Sequence, residues 1–198
     1  MTDRQNNTVR RKSSAQIIAL TLTGVGMLIL GGMAILLLAK PDQVGRADDP
    51  KDYPSAVPVP VDYPAPELEL TDLEGRPVAL SDYAGQVVLV NNWAFWCPPC
   101  RAELPVLQEY YKDHRQQGFT LLGIEAGGEK VDVDYHVKLY KLTYPIWLDP
   151  RERSLAAFQY SGLPNSAVID RTGKVVLKWG GPISREMLEK YVTPLLEQ

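Results

Sequence analysis

The sequence predicts a three-layer α/β/α sandwich with a central mixed sheet, preceded by one transmembrane helix. From Glu67 onward, apolar runs of strand length alternate with helical patterns. This alternation is typical of a sheet that is covered by helices on both faces. Two further features decide the rest of the interpretation: an uncharged apolar segment at residues 17–39, and two cysteines separated by two residues at the start of a helix.

The apolar segment of residues 17–39 is long enough to cross a membrane. It contains 23 residues without a charge, and a helix of that length spans about 34 Å. The basic run of residues 10–12 precedes it, so the positive-inside bias places residues 1–16 in the cytoplasm and the later chain outside. A cleaved signal peptide is the alternative, but its apolar region is shorter and ends in small residues. We therefore predict a single-pass anchor in the cell membrane.

Residues 40–63 are predicted to be a linker between this anchor and a domain of residues 64–198. The stretch from Pro41 to Pro66 contains seven prolines and five aspartates and has no apolar periodicity, which is typical of an extended, solvated tether. From residue 41 onward the chain carries 16 Lys and Arg against 23 Asp and Glu, a net charge of −7. This acidic balance argues against a nucleic-acid partner.

Short apolar runs bounded by turn residues predict six strands, at residues 67–70, 77–80, 87–93, 119–124, 165–170 and 174–179. The first two form an N-terminal strand extension, the run 87–93 has the continuous apolar character of a buried strand, and the last two form a hairpin around Arg171-Thr172-Gly173. Helices are predicted from Pro98 to about residue 117, over residues 131–142 and over residues 184–197. Another helix is predicted to begin with Asp149 as N-cap, because Pro150 and Glu152 complete the expected first turn.

Cys97 and Cys100 are the two cysteines of the chain. A framework of structural disulfides needs more pairs at longer spacings, so this count indicates chemistry. Cys97 follows a buried strand and opens a helix, where unpaired backbone N–H groups and the helix dipole favour a thiolate. The lowered pKa makes Cys97 the nucleophile, whereas Cys100, one turn further along and more buried, stays a thiol until it is needed.

Two alternatives to redox chemistry apply to the same motif. A zinc site would need four ligands, and His114 and His136 do not follow the cysteines at finger-like spacing. An inert disulfide is the second alternative, although a short loop at a helix start is where labile disulfides lie. Pro98 and Pro99 suit the first helical turn and stiffen the ring that a disulfide would close.

The run from Val87 to Pro105, which contains Trp96-Cys97-Pro98-Pro99-Cys100, resembles the thioredoxin superfamily, and within it the membrane-tethered TlpA/ResA-like group associated with cytochrome c maturation. The resemblance covers residues 64–198 and includes the N-terminal strand pair, the segment of residues 127–142 and Leu163-Pro164 ahead of a strand. It implies a thioredoxin-like fold and a thiol-disulfide oxidoreductase. Such an enzyme needs no metal and no cofactor beyond its own dithiol.

This resemblance implies roles for individual residues. Cys97 would attack a substrate disulfide, and Cys100 would resolve the mixed disulfide. Pro164 matches a cis-proline that faces the dithiol, and Leu163 offers backbone hydrogen bonds to a bound peptide. The residues assigned to substrate binding are Trp96, Pro98, Leu163 and Pro164.

Glu103 matches an acidic residue that the TlpA/ResA-like group carries three positions after the second cysteine. It shares a helix face with Cys100, so its carboxylate is a candidate for exchanging a proton with the resolving thiol. A solvated glutamate on the helix surface is the alternative. Asn91 stands where ordinary thioredoxins carry a buried aspartate, which leaves a buried acid-base role to Glu103, to water or to neither. Pro105 matches a proline that kinks the corresponding helix.

The remaining titratable residues of interest lie outside the motif. His114 and His136 fall in predicted helices and are expected at surface or core positions. An acidic cluster near residues 127–128 is expected to be a solvated loop, with a partner-docking patch as the alternative. Its members are Glu125, Glu129, Asp132 and Asp134.

The expected function is the reduction of protein disulfides outside the cytoplasm, with a membrane thiol carrier as electron donor and apocytochrome c as candidate substrate. A disulfide oxidase or isomerase is the close alternative, because the direction of exchange depends on relative reduction potentials. A peroxiredoxin-like antioxidant would need a hydroxyl beside Cys97, and Ala94-Phe95-Trp96 supplies none. A copper chaperone of the same fold is an alternative from another class, although such proteins use a wider cysteine spacing and a distal histidine.

Overall fold

A computed structural model of the protein describes residues 49–197. Its strands are β1 (Val59–Pro64), β2 (Glu69–Asp72), β3 (Pro77–Ala79), β4 (Val87–Trp93), β5 (Phe119–Ala126), β6 (Ile146–Asp149), β7 (Asn165–Ile169) and β8 (Lys174–Gly180). Its α-helices are α1 (Pro98–His114), α2 (Lys130–Leu139), α3 (Arg153–Ala157), α4 (Arg185–Tyr191) and α5 (Thr193–Leu196). Two short 3-10 helices span Pro50–Asp52 and Leu80–Tyr83.

The eight strands form one sheet in the order β1-β8-β7-β4-β5-β6-β2-β3. Strands β4, β5 and β6 run parallel to one another, and the other neighbouring pairs are antiparallel. This is the mixed sheet of a thioredoxin-like α/β fold, as the sequence predicted. The predicted hairpin is also confirmed, since β7 and β8 pair around residues 170–173.

Strand β4 is buried at every position because both of its faces are covered. Val87 and Leu89 point to one core together with Leu107 of α1 and Leu188 of α4. Val88 and Val90 alternate to the opposite core, where β2, β6 and the end of α3 contribute the large side chains Leu70, Trp147 and Phe158. A strand that is buried on both faces has a nearly continuous apolar sequence, which explains why the bounds of β4 were predicted correctly.

The predicted linker does not remain a solvated tether up to the domain boundary at residue 64. Residues 59–64 form β1, which pairs antiparallel with β8 and extends the sheet at that edge. Ahead of it, the Ala56 N–H donates to the Pro182 carbonyl oxygen at 2.8 Å, and the Ser184 N–H donates to Ser55 Oγ at 2.9 Å. For residues 59–63 the prediction of a linker was therefore wrong, because edge pairing tolerates prolines that a central strand would exclude. Residues 40–48 of the predicted linker lie outside the described residues.

Two helix predictions also need correction. The helix predicted to start at Asp149 begins at Arg153, after Glu152 in a left-handed conformation with φ of 53°. Asp149 still caps backbone, because its Oδ2 accepts the Ser154 N–H at 2.7 Å. The helix predicted over residues 184–197 is divided at Val192 into α4 and α5, and Pro194 supplies no N–H to continue the first one.

No helix within residues 49–197 is long and apolar enough to cross a membrane. The predicted anchor of residues 17–39 and the cytoplasmic segment of residues 1–16 lie outside the described residues. They remain predictions from the sequence.

Gly123 of β5 provides a test of the packing between the sheet and the chain that leads into β6. A Cβ atom at this position would lie 2.8 Å from both Ile146 Cδ1 and Tyr144 Cε2, closer than non-bonded carbon atoms pack. We expect Gly123→Ala to lower the free energy of unfolding by about 1–3 kcal/mol, the usual cost of overpacking a core. Urea unfolding of the oxidised protein measures this.

Gly180→Ala is the matched control, because nothing lies within 4 Å of a Cβ atom placed on Gly180. Its effect should stay within about 0.5 kcal/mol of zero. Equal stability of the two variants would contradict the packing described for β5.

Candidate active site

Cys97 and Cys100 lie shortly after the end of β4, where α1 begins. Cys97 is the N-cap residue of α1 and joins Cys100 in a disulfide, with the two Cα atoms 5.2 Å apart. Cys97 is 5% exposed and Cys100 is completely buried. Pro98 and Pro99 fill the first helical turn, where a missing N–H costs little. Cys97 is therefore the less deeply buried of the two cysteines, as expected for the attacking cysteine.

The loop of residues 94–96 leads directly into Cys97. The Cys97 N–H donates to the Ala94 carbonyl oxygen at 3.1 Å, and Arg101 Nη1 of α1 donates to the Phe95 carbonyl oxygen at 2.8 Å. The Trp96 side chain is 57% exposed. Pro98 is also exposed, so two of the residues assigned to substrate binding lie on the surface next to Cys97.

The peptide bond between Leu163 and Pro164 is cis, as the resemblance implies. Pro164 is buried, and Leu163 is half-buried and packs against the core cluster that contains both cysteines. The Asn165 side chain holds this turn closed, because its Nδ2 donates to the Gly162 carbonyl oxygen at 2.7 Å. The turn is thus fixed on both sides of the cis bond.

A buried chain of hydrogen bonds ties this turn to β4. Asn92 Nδ2 donates to Asn165 Oδ1 at 2.7 Å, and Ser154 Oγ of α3 donates to Asn92 Oδ1 at 2.6 Å. No role was predicted for these three residues from the sequence. The signal was present in Asn91-Asn92, two polar residues within an otherwise apolar buried strand, since buried amides need partners.

Glu103 is a buried residue of α1 with 2% exposure, which excludes the solvated alternative. Asn91 Nδ2 donates to its Oε1 at 2.7 Å, and the Ile183 N–H donates to its Oε2 at 2.9 Å. Burial raises the pKa of Glu103 to about 8, and the two donated hydrogen bonds offset part of that rise. The group therefore titrates in the range in which thiols also titrate.

A small cavity of about 70 Å³ lies beside Glu103. Its lining includes Tyr53 and Ser55 from the segment before β1 and Ser184 and Arg185 at the start of α4. Its volume suits a few water molecules, although most of its lining is apolar. The segment that the sequence assigned to the linker thus forms one wall of the cavity at a candidate acid-base residue.

The prediction of a solvated acidic loop is wrong for Glu125. It lies at the end of β5 and is completely buried, whereas Glu129 and Asp132 are exposed. Its Oε2 accepts the Gly128 N–H at 2.8 Å, and its Oε1 accepts the Phe95 N–H at 3.4 Å. Burial raises the pKa of Glu125, and these two N–H groups act in the opposite direction.

The two histidines are distant from both cysteines in the sequence. His114 is buried and packs on the Tyr110 ring with centroids 4.3 Å apart. His136 of α2 packs on the Phe95 ring with centroids 5.6 Å apart. Within residues 49–197, His, Cys, Asp and Glu form no group of three or more that could hold a metal ion.

Comparisons with known proteins agree on one kind of protein. Residues 61–178 match the model of the AhpC/TSA family. The thiol-disulfide oxidoreductase ResA of Geobacillus thermodenitrificans is 35% identical over 134 residues, which cover 68% of this chain and 77% of that protein. ResA of Bacillus subtilis is 34% identical over 127 residues, which cover 64% of this chain and 71% of that protein.

Solved structures give the same result. A thiol:disulfide interchange protein of the thioredoxin family from Chlorobium tepidum superposes with a TM-score of 0.62 at 30% identity. The match covers 69% of this chain and 97% of that one. A DsbF homologue from Corynebacterium diphtheriae superposes with a TM-score of 0.65 at 25% identity, covering 70% of this chain and 93% of that one.

The raised pKa of Glu103 predicts how its replacement changes stability with pH. In the unfolded chain the carboxyl group has its ordinary pKa of 4.5, whereas in the folded protein the pKa of Glu103 is about 8 and the group stays protonated up to about that pH. The wild type should therefore lose stability relative to Glu103→Gln as the pH rises from about 5 to about 8, by up to about 1.4 kcal/mol per pH unit. Urea unfolding of the oxidised proteins across this range measures the difference.

Glu109→Gln is the control for this experiment, since Glu109 is an exposed carboxylate on the same helix. Its difference from the wild type should stay flat between pH 5 and pH 8. A flat difference for Glu103→Gln as well would show that the pKa of Glu103 is not raised.

Proposed function

Because this chain belongs to the AhpC/TSA family and is a thiol-disulfide oxidoreductase, we propose that it reduces disulfides of protein substrates outside the cytoplasm through Cys97 and Cys100. The observation that carries the proposal is the pairing of an N-cap cysteine that is 5% exposed with a completely buried one that has a buried carboxyl group a single helical turn away. This arrangement separates the attacking sulfur from the resolving sulfur. It also places a proton acceptor on the side of the resolving residue.

The reaction begins with the reduced protein. The Cys97 thiolate attacks one sulfur of the substrate disulfide, a mixed disulfide forms, and the other substrate sulfur leaves as a thiolate that takes up a proton. Cys100 then loses its proton and attacks Cys97, which releases the second substrate sulfur and leaves the disulfide between Cys97 and Cys100. Two electrons pass from the protein to the substrate, and an external dithiol must supply them again.

Glu103, in its ionised form, is the proposed acceptor for the Cys100 proton. Its pKa of about 8 is close to that of an ordinary thiol, so the transfer is nearly balanced in either direction. The small cavity beside it, whose lining includes Ser55 and Ser184, is the proposed place for water that takes up this proton. Asn91 keeps the carboxyl group oriented through its 2.7 Å hydrogen bond.

The substrate site is proposed to lie where Trp96 and Pro98 are exposed beside Cys97, with Leu163 and Pro164 as the wall facing the dithiol. By resemblance to the TlpA/ResA-like group, the candidate substrate is the haem-binding cysteine pair of apocytochrome c. A membrane thiol carrier is the proposed electron donor. Neither role needs a metal or an organic cofactor.

A peptide that contains a Cys-x-x-Cys-His disulfide tests this function directly. We expect the reduced full chain, held in detergent, to reduce this peptide faster than it reduces hydroxyethyl disulfide, since the peptide can contact Trp96 and the Leu163-Pro164 turn. Cys97→Ser should lower the rate to that of uncatalysed exchange. Cys100→Ser should accumulate the mixed disulfide, which mass spectrometry detects, because the resolving sulfur is absent.

The reduction potential of the Cys97–Cys100 couple decides the direction of the reaction. A value of about −270 mV or lower supports a reductant, while one near −120 mV would favour an oxidase. Equal rates of reduction of the peptide and of hydroxyethyl disulfide would contradict the proposed substrate class. Turnover of the peptide by Cys97→Ser would remove the proposed mechanism.

The proposed location follows from the apolar segment of residues 17–39 and the basic residues before it. An exposed cysteine introduced by Val57→Cys, in a chain that also carries Cys97→Ser and Cys100→Ser, reports on which side the domain lies. Val57 is 64% exposed, so a maleimide reaches it without unfolding. We expect a membrane-impermeant maleimide to label it in cells with an intact cytoplasmic membrane.

Thr2→Cys in the same cysteine-free background is the control for the cytoplasmic side. It should be labelled only after the membrane is permeabilised. The reverse pattern would show that the proposed orientation is wrong.

A further inference from the structure

The loop of residues 94–96 is held at its middle residue by two charged side chains from different elements. Arg101 of α1 donates to the Phe95 carbonyl oxygen at 2.8 Å. On the other side, the Phe95 N–H donates to Glu125 Oε1 of β5 at 3.4 Å. Cys97 lies two residues after Phe95, so the path of the chain into the attacking cysteine depends on both contacts.

The Glu125 carboxylate is itself fixed at the end of β5. Its Oε2 accepts the Gly128 N–H at 2.8 Å, across the turn that leads to α2. A Cβ atom on Gly128 would overlap both carboxylate oxygens and the carboxyl carbon. Gly128 does not have a positive φ, so the requirement for glycine here comes from the carboxylate.

Nothing in the packing of the core requires an acid at this position, and its surroundings are unfavourable to one. Glu125 is completely buried, and the charged groups that face it, Asp132 of α2 and Asp149 at the end of β6, are also acidic. Burial of a carboxyl group beside like charges costs free energy unless its hydrogen bonds serve a purpose. The purpose that the contacts indicate is the fixation of the loop before Cys97.

We propose that Glu125 is a positioning residue for Cys97, which holds the loop of residues 94–96 so that Cys97 faces Cys100, and that Gly128 leaves the space its carboxylate needs. Two cysteines that are held facing each other react at a higher effective concentration, which favours the disulfide over the dithiol. Loosening the loop should therefore make the disulfide easier to reduce. Removal of the negative charge of Glu125 also makes the disulfide easier to reduce, since it favours the thiolate of Cys97.

The test compares the equilibrium of the couple in the full chain and in two variants. Glu125→Gln keeps the shape of the side chain, but its amide has a single acceptor oxygen for the two N–H groups. Gly128→Ala keeps the carboxylate but displaces it. Each protein is equilibrated with reduced and oxidised dithiothreitol, which supplies two electrons and two protons as it becomes oxidised, and the dithiol fraction is read by alkylation and mass spectrometry.

We expect the ratio of dithiol to disulfide at fixed buffer composition to rise about 3–10-fold in both variants. Tenfold corresponds to about 30 mV for this two-electron couple. Glu129→Gln, which removes an exposed carboxylate from the same turn, should stay within about twofold of the wild type.

Two results would overturn the inference. One is a ratio within twofold of the wild type in both Glu125→Gln and Gly128→Ala, even if urea unfolding shows that they are less stable, because a purely structural role lowers stability without moving the couple. The other is an equal shift in Glu129→Gln, which would make the effect one of overall charge. The inference rests on the proposed exchange reaction, whose own failure would appear separately as a wild type without a reversible couple.

Discussion

The position of the dithiol depends on the last three residues of β4. On one side, Asn91 lies in register with Ser166 of β7 and Asn92 with Asn165. On the other side, Trp93 lies in register with Glu125 of β5. The strand is buried on both faces and paired along both edges, so its end cannot move without breaking the sheet. Because α1 starts only a few residues later, this constraint fixes Cys97 in space.

Polar side chains at the end of β4 connect different parts of the site to one rigid strand. Asn91 holds Glu103 on the helix side, and Asn92 holds Asn165, the residue that follows the cis-proline. The sheet thereby sets the relation between the helix that carries the cysteines and the Leu163-Pro164 turn. Buried hydrogen bonds of this kind are expensive to break, since each broken bond leaves an unpaired polar group in a medium of low dielectric constant.

The sequence was sufficient for the parts of the molecule that local patterns determine. The apolar run of β4, the hairpin of β7 and β8 and the Cys-x-x-Cys helix start each have a short-range signal, and the resemblance supplied the cis bond before Pro164. Strand β1 was missed because its two prolines and Asp62 resemble a tether, although Val59, Val61 and Tyr63 alternate as in a strand. The burial of Glu103 and Glu125 depends on contacts with Ile183, Phe95 and Gly128, which no local pattern contains.

The two buried carboxyl groups give the two cysteines different surroundings. Glu103 lies one helical turn beyond Cys100, with a small cavity beside it. Glu125 is bound to backbone N–H groups on the other side, at the loop that precedes Cys97. A proton acceptor is useful only next to the thiol that must lose its proton during the reaction, whereas a fixed backbone is useful next to the sulfur that must meet an incoming disulfide. The proposed division of labour between Cys97 and Cys100 therefore depends on where the fold buries its acids, in addition to which cysteine the helix dipole favours.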